Sequence, residues 1–372
     1  MICCDALVVG GGPAGSTCAR VLRRAGWNVI VADRARFPRD KVCAGWLTPA
    51  VFPLLDLDPS EYRATGLTFQ EITAFRTGVI GGGLIETRYP SIVSYAIRRC
   101  EFDHYLLRRS SARLLDGTNV QTIRRHGDRW IVNDEIETPV IVGAGGHFCP
   151  VARFLRGGAD ERQPVVAKET EFELNDDELD TPTVADRTAP ELFFCHDLEG
   201  YAWRVRKGRF VNVGIGRRDP RQLARHLDEF IDRLEPIDGT RRARLRGAAW
   251  KGHAYFAAGV GPRPLVSDGI LTIGDAAGLA YPESGEGICP AIESGRLAAE
   301  TLIAAGSRFD EAALRPYAAA IARRHPPAER VDRAQWLGWA MAALGRGLLR
   351  SPSFTRRIVL NRWFLRTTAA RA

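Results

Sequence analysis

Short apolar runs and helix-spaced stretches take turns at the start of the chain. Residues 6–9 and 28–32 are nearly unbroken apolar runs, as strands buried on both faces require. Between them, residues 14–24 repeat apolar positions at helical spacing, so the opening is predicted to be strand, helix, strand. Residues 36–50 then read as a loop carrying "RFPRDKVCAGWLTP". The glycine cluster "GVIGGG" at 78–83 has no strand–helix frame and is read as a turn. "SYAIRRCEFDHYLLRR", residues 94–109, has the spacing of a helix. The stretch 119–146 reads as a hairpin turning at Gly127-Asp128, followed by a buried strand that ends in glycines.

From about residue 160 to 260 the texture changes. Strand-like segments "VVAKETEFEL", "ELFFCHDLEGYAWRV" and "RFVNVGIG" alternate with turns, and one amphipathic helix lies near 221–234. This predicts a separate, largely antiparallel module. "GILTIGDAAG" returns to the buried-strand style of the first residues, and the chain is helical from 311 onward.

Two glycine-rich turns carry the candidate chemistry. Gly10, Gly12 and Gly15 form G-x-G-x-x-G directly after a strand and at the mouth of a helix. Gly10 permits a tight turn, Gly12 lets the backbone approach a pyrophosphate, and Gly15 permits close helix–strand packing. The helix N-terminus presents unpaired amides to the anion. Asp33 closes the second strand, where a carboxylate accepts a ribose hydroxyl and repels a 2′-phosphate. These residues point to a dinucleotide without separating FAD from NAD.

The stretch "GDAAGLAYPESGEGICPAIESG", residues 274–295, makes that separation. A buried strand delivers Asp275, suited to bond a ribityl hydroxyl, and the turn Ser284-Gly285-Glu286-Gly287 leads into a second helix beginning near Ile288. Glycines 285 and 287 let amides come close, and a helix N-terminus aimed at the flavin N1–C2=O edge stabilises the charge of the reduced ring. FAD, with an adenosine end and a ring end, explains both turns.

Composition sharpens the picture in two places. The eight cysteines are scattered without C-x-x-C pairs, which argues against a metal site or a disulfide framework. No signal peptide and no membrane-length apolar run is visible, so the expected location is cytoplasmic, with membrane association left open. The net charge of +8 sits in the tail: residues 321–372 hold 11 Arg against Glu329 and Asp332. Arg interleaved with Trp, Phe and Leu suits either a solvated basic face or a peripheral membrane contact. No nucleic-acid module accompanies the charge.

Five motifs in order, "VVGGGPAGS", "FPRDKVCAGWLTP", "AIRRCEFDHYL", "GYAWRVRKGRFVNVGIG" and "GDAAGLAYPESGEGICPAIESGRLAAE", make the chain resemble the FAD-dependent geranylgeranyl reductase family, within the aromatic-hydroxylase-fold flavoproteins. The resemblance covers roughly residues 5–305. It implies an α/β fold: a Rossmann-like FAD-binding domain (1–75, 92–160 and 262–310), an inserted antiparallel β-sheet substrate domain (76–91 and 161–261), and a basic C-terminal helical region (311–372). It also implies an FAD-dependent oxidoreductase that reduces carbon–carbon double bonds of an isoprenoid or lipid-like apolar substrate, by hydride transfer from reduced flavin N5.

Carried over by residue, Gly10, Gly12, Ala14, Gly15 and Asp33 hold the adenosine half, with Val120 bordering the adenine. Cys43, Ala44 and Arg99 lie beside the cofactor, and Asp275, Gly285, Gly287 and Ile288 hold the ribityl chain and ring. Trp46, Tyr201 and Trp203 line the substrate pocket, and Cys43 is the candidate proton donor. Three departures stand out: Cys43-Ala44-Gly45-Trp46 replaces the family's Cys-Gly, Arg204-Val205-Arg206 follows Tyr201-x-Trp203 in place of Phe-Pro, and Gly145-Gly146 stands where Asp-Gly is usual. No second Rossmann fingerprint is present, so NAD(P)H or another reductant would bind transiently. Two other readings share the same motifs: a flavin monooxygenase acting on an aromatic or polyketide-like substrate, and a membrane-peripheral electron carrier to a quinone or protein. A halogenase is disfavoured, because "GYAWRVR" keeps one Trp of the W-x-W-x-I-P signature.

Overall fold

The computed structural model describes residues 1–158, 162–179, 186–234, 239–259, 263–326 and 335–367. The tail residues 327–334 and 368–372, and the domain boundaries expected at 160/161 and 261/262, lie outside the described residues.

The apolar runs of the opening become the centre of a six-stranded sheet. Its order is Val266–Ser267, Ile270–Thr272, Ile141–Gly143, Ala6–Val9, Val29–Asp33, Arg113–Asp116, parallel except at the first pair. Val8 pairs with Val31 on one side and Val142 on the other. Every residue of the strands Ala6–Val9 and Val29–Asp33 is buried, which is why their sequences are continuous rather than alternating. Helices Pro13–Arg24, Ile288–Ala305 and Glu311–Arg324 cover one face through Cys18, Leu22, Ala298, Leu302 and Tyr317. A small four-stranded sheet and the helix Pro150–Arg156 cover the other.

The middle of the chain builds a seven-stranded sheet. In order it contains Lys251–Tyr255, Val165–Glu173, Phe210–Arg217, Gly200–Lys207, Glu191–Phe194, Ala74–Val79 and Ile85–Arg88. All pairings are antiparallel except Glu191–Phe194 with Ala74–Val79. "GVIGGG" contributes the end of Ala74–Val79 and the turn after it. Period-two alternation sorts the side chains onto two covered faces. Phe193, Ala202, Val211 and Val213 pack under the helix Leu223–Arg233. Leu192, Trp203 and Val205 face the other way, against Leu349, Val359, Leu360 and Phe364 of the C-terminal segment.

One expectation needs correction. The helix read over residues 94–109 begins only at Arg99; Ser94–Ile97 is a fully buried strand between Trp46–Leu47 and Phe69–Ile72. Burial on both faces supplied the apolar run, and pairing outweighed the helical spacing. The strand matters for the site because it holds Trp46 in register opposite Ala96.

Candidate functional site

The two sheets and the C-terminal segment border one continuous, partly open cavity of about 1850 Å³. Gly10, Gly12, Ala14, Asp33, Cys43, Ala44, Trp46, Arg99, Val120, Tyr201, Trp203, Asp275, Gly285, Gly287 and Ile288 all line it, so the structure brings together residues from five separated motifs. Gly15 lies behind that wall, packed on the glycine loop. A Cβ on it would lie 1.9 Å from Gly10 O, so its task is to let the helix Pro13–Arg24 press against the loop.

At the first end, the strand Val29–Asp33 carries the Asp33 carboxylate under the glycine loop. Its Oδ2 accepts from Gly11 N at 2.7 Å and its Oδ1 from Ala35 N at 2.9 Å. Each oxygen keeps a lone pair for a further donor. The helix Pro13–Arg24 begins at Gly12 with no side-chain cap and no acid in its first turn, and the Arg39 guanidinium lies 3.4 Å from where a Gly12 Cβ would stand. Unpaired amides with a nearby cation fit a pyrophosphate.

The second end is polar and tightly coupled. Lys41 Nζ sits 2.5 Å from His253 Nε2, and Asp275 Oδ2 lies 3.7 Å from His253 Nε2 and 3.9 Å from Lys41 Nζ. Burial alone would raise the Asp275 carboxyl, but the His253 contact and the Lys41 charge hold it down at about 2. Burial brings Lys41 down to about 8 against the pull of Asp275, and it lowers His253 as well. All three side chains remain about a fifth exposed, at 22%, 17% and 21% for Lys41, His253 and Asp275. An anion flanked by an ammonium and an imidazole offers both acceptors and donors to a polyhydroxyl chain and a ring edge.

Arg99 is engaged on the protein side. It makes a two-pronged pair with Asp103, at 2.8 Å for each bond, and burial, which would lower its pKa, is overcome by Asp103 and the Cys43 thiol. Cys43 is held by its backbone, whose N–H donates to Glu169 Oε2 at 2.8 Å, and its Sγ accepts from Gly45 N at 3.3 Å. Burial raises the Glu169 carboxyl.

Beyond Cys43 the wall becomes aromatic. Trp46 is stacked between Phe75, at 4.8 Å, and Phe364, at 5.3 Å. Tyr201 and Trp203 share one side of their strand with ring centroids 6.0 Å apart. The Tyr201 hydroxyl donates to Ser284 O, and Trp203 Nε1 donates to Asn212 Oδ1 at 2.7 Å. Both polar tips are therefore spent inside the protein, leaving ring faces toward the cavity.

Sequence reading missed Lys41, His253, Glu286 and Phe364. Lys41 lies in the flagged loop two residues before Cys43, so its position was visible but its partner was not. His253 and Tyr255 alternate on the edge strand Lys251–Tyr255 without a motif, and Phe364 lies in the tail. Glu286 Oε1 accepts from Cys289 N at 2.6 Å, while Oε2 is buried with no hydrogen-bond partner among the described residues. Burial raises this carboxyl to about 7, opposed by the Cys289 amide and the Arg366 charge. A raised carboxyl binds its proton more tightly in the folded chain than in the unfolded one. Its contribution therefore declines as pH climbs from the model-peptide value of about 4.3 toward 7. Glu286→Gln should flatten that decline, as read from urea midpoints at pH 5 and pH 7.5; an unchanged slope would contradict the burial.

Comparison with known proteins agrees with the cleft. A family profile described as an FAD binding domain matches residues 3–57. The menaquinone reductase of Mycobacterium tuberculosis (strain H37Rv) is 31% identical over 317 residues, covering 80% of this chain and 76% of that protein. The chain belongs to the FAD-dependent geranylgeranyl reductase family. Within it, the digeranylgeranylglycerophospholipid reductase of Methanocaldococcus jannaschii is 27% identical over 318 residues, covering 80% of this chain and 76% of that one. A solved geranylgeranyl bacteriochlorophyll reductase-like protein from Thermoplasma acidophilum superposes with a TM-score of 0.71 at 19% identity, over 100% of this chain and 98% of that one. That likeness speaks for the fold. This family member is an FAD-dependent oxidoreductase.

Proposed function

We propose that the chain reduces carbon–carbon double bonds in an isoprenoid or lipid-like molecule. One observation carries the reading: the cofactor cleft and an aromatic chamber form a single cavity of about 1850 Å³. Small-molecule pockets are usually about 300–1,000 Å³. The surplus, walled by Trp46, Phe194, Tyr201, Trp203 and Phe364, suits an apolar second occupant beside FAD. The names of the menaquinone and digeranylgeranylglycerophospholipid reductases point to substrates of the same character.

Bound and reduced, FAD supplies hydride from N5. The chain supplies the rest. Gly10, Gly12, Ala14, Asp33 and Val120 hold the adenosine half, while Asp275, Gly285, Gly287 and Ile288 hold the ribityl chain and ring, with Cys43, Ala44 and Arg99 alongside. Trp46, Tyr201 and Trp203 orient the alkene and keep water out, which fixes the reacting carbon and removes competing protons. Cys43 donates the proton to the neighbouring carbon. The electrons would come from NAD(P)H or another reductant bound transiently. We assign residues 1–75, 92–160 and 262–310 to the FAD-binding unit and 76–91 with 161–261 to the substrate unit. Exposed arginines of the tail, such as Arg357 and Arg362, make peripheral contact with a membrane; among the described residues no helix is long and apolar enough to cross one.

Cys43→Ser is expected to keep its FAD and lose about a hundredfold in turnover, the usual range for a positioned acid. Unchanged turnover would remove Cys43 from the chemistry. The reading as a whole is tested by mixing anaerobically reduced holoenzyme with menaquinone or geranylgeranyl diphosphate. Flavin reoxidation without oxygen, with two hydrogens added per turnover across a prenyl-chain double bond, supports it, whereas a quinol whose prenyl chain stays unsaturated would establish the electron carrier. Reoxidation only on admitting oxygen, with an oxygen-bearing product, would establish the monooxygenase instead.

A further inference from the structure

The C-terminal segment lies outside the motifs that carry the family resemblance, yet it supplies much of the aromatic chamber. Leu349, Phe354, Trp363 and Phe364 line the cavity. The stretch Thr355–Phe364 is a wide helix whose inner side buries Val359, Leu360 and Phe364, while Arg356, Arg357 and Arg362 stay exposed. Its seat is specific. Tyr89 Oη donates to Asn361 Oδ1 at 2.7 Å, the Arg356 guanidinium lies 5.1 Å over the Tyr89 ring, and that of Arg366 lies 3.7 Å over Tyr281. These contacts hold the helix against both the large sheet and the turn before Ile288–Ala305.

Phe364 occupies the middle of that wall. Its ring stacks on Trp46 with an interplanar angle of 14°, meets Tyr201 edge-on at 5.3 Å and meets Phe194 edge-on at 6.5 Å. The opposite face of Trp46 is closed by Phe75, which is fully buried. Phe364 is therefore the side chain that covers one face of the Trp46 ring at the cavity wall.

We infer that Phe364 is a specificity-determining residue, the stop that sets how much of an apolar chain the chamber accepts. The inference rests on the apolar-substrate reading above and deepens it by naming what limits substrate length. A chain threading past Cys43 along Tyr201 and Trp203 ends against the Phe364–Trp46 stack. A smaller residue opens the space in front of Trp46, and a larger one shortens the chamber.

The test uses oxidised holoenzyme and the prenyl alcohols geraniol, farnesol and geranylgeraniol, with binding read from perturbation of the flavin absorbance. Wild type should tighten with chain length up to a limit. Phe364→Leu should move that limit to a longer alcohol and Phe364→Trp to a shorter one, each changing the ratio of affinities between neighbouring alcohols about tenfold, with FAD content unchanged. Opposite shifts in two variants cannot come from simple loss of folding. An unchanged length profile in both, or an equal loss for every alcohol, would overturn the role of Phe364 alone. Failure of wild type to bind any of the alcohols would overturn the apolar-substrate reading and this inference with it.

Discussion

Asp275→Ala should purify without yellow colour. The carboxylate is the only anion in contact with both Lys41 and His253 among the described residues, and the His253 hydrogen bond with the Lys41 charge holds its pKa down to about 2. Removing it takes away an ionised acceptor at the proposed ring end, and it leaves Lys41 with less reason to keep its proton in a buried position. Hydrogen bonds to charged groups contribute about 1.5–3 kcal/mol, so FAD affinity should fall by roughly 10- to 150-fold. Asp275→Asn, which keeps an acceptor without the charge, should recover part of it. Titration of apoprotein with FAD measures both. A fully flavinylated Asp275→Ala protein would mean that the ring end is held elsewhere.

Gly15→Ala should damage the fold before it damages chemistry. The added Cβ would meet Gly10 O at 1.9 Å and Ala144 Cβ at 3.1 Å, and the nearer atom is backbone with no rotamer to move. Gly10 itself has φ of +118° and faces Ala144 O, so the loop has no second conformation to retreat into. Overpacking costs about 1–3 kcal/mol and more where backbone must shift. The urea midpoint should drop accordingly in apoprotein as well as holoprotein. Gly83→Ala, where an added Cβ meets nothing within 4 Å, should stay within about 0.5 kcal/mol of wild type. Equal midpoints for the two variants would contradict the close packing of helix on loop.

Much of this site was legible because the strand–turn–helix frame that positions it is local. Gly10, Gly12, Asp33, Gly285 and Gly287 are recognisable from spacing alone, since glycine and a strand-end acid satisfy geometric needs set by the local strand–turn–helix frame. Tyr201 and Trp203 were legible for a similar reason, because alternation on a strand puts them on one face. The rest depends on pairings across the fold. Lys41 and His253 are 212 residues apart and meet only because the edge strand Lys251–Tyr255 lies over the loop. Phe364 was hidden by its company: the arginines around it dominate the tail's composition, while the helix turns its aromatic side inward. The strand Ser94–Ile97 was misread because helical spacing in the following residues runs back into it. Local patterns carried the cofactor turns, and tertiary contacts carried the chamber.

The most direct measurement is a crystal structure of the yellow holoenzyme. One FAD per chain is expected, its adenosine ribose on Asp33, its ribityl chain on Asp275, and its ring edge at the start of the helix Ile288–Ala305 with the Cys43 loop beside it. Density for the ring displaced from that helix, or for a nucleotide confined to the first glycine loop, would contradict it.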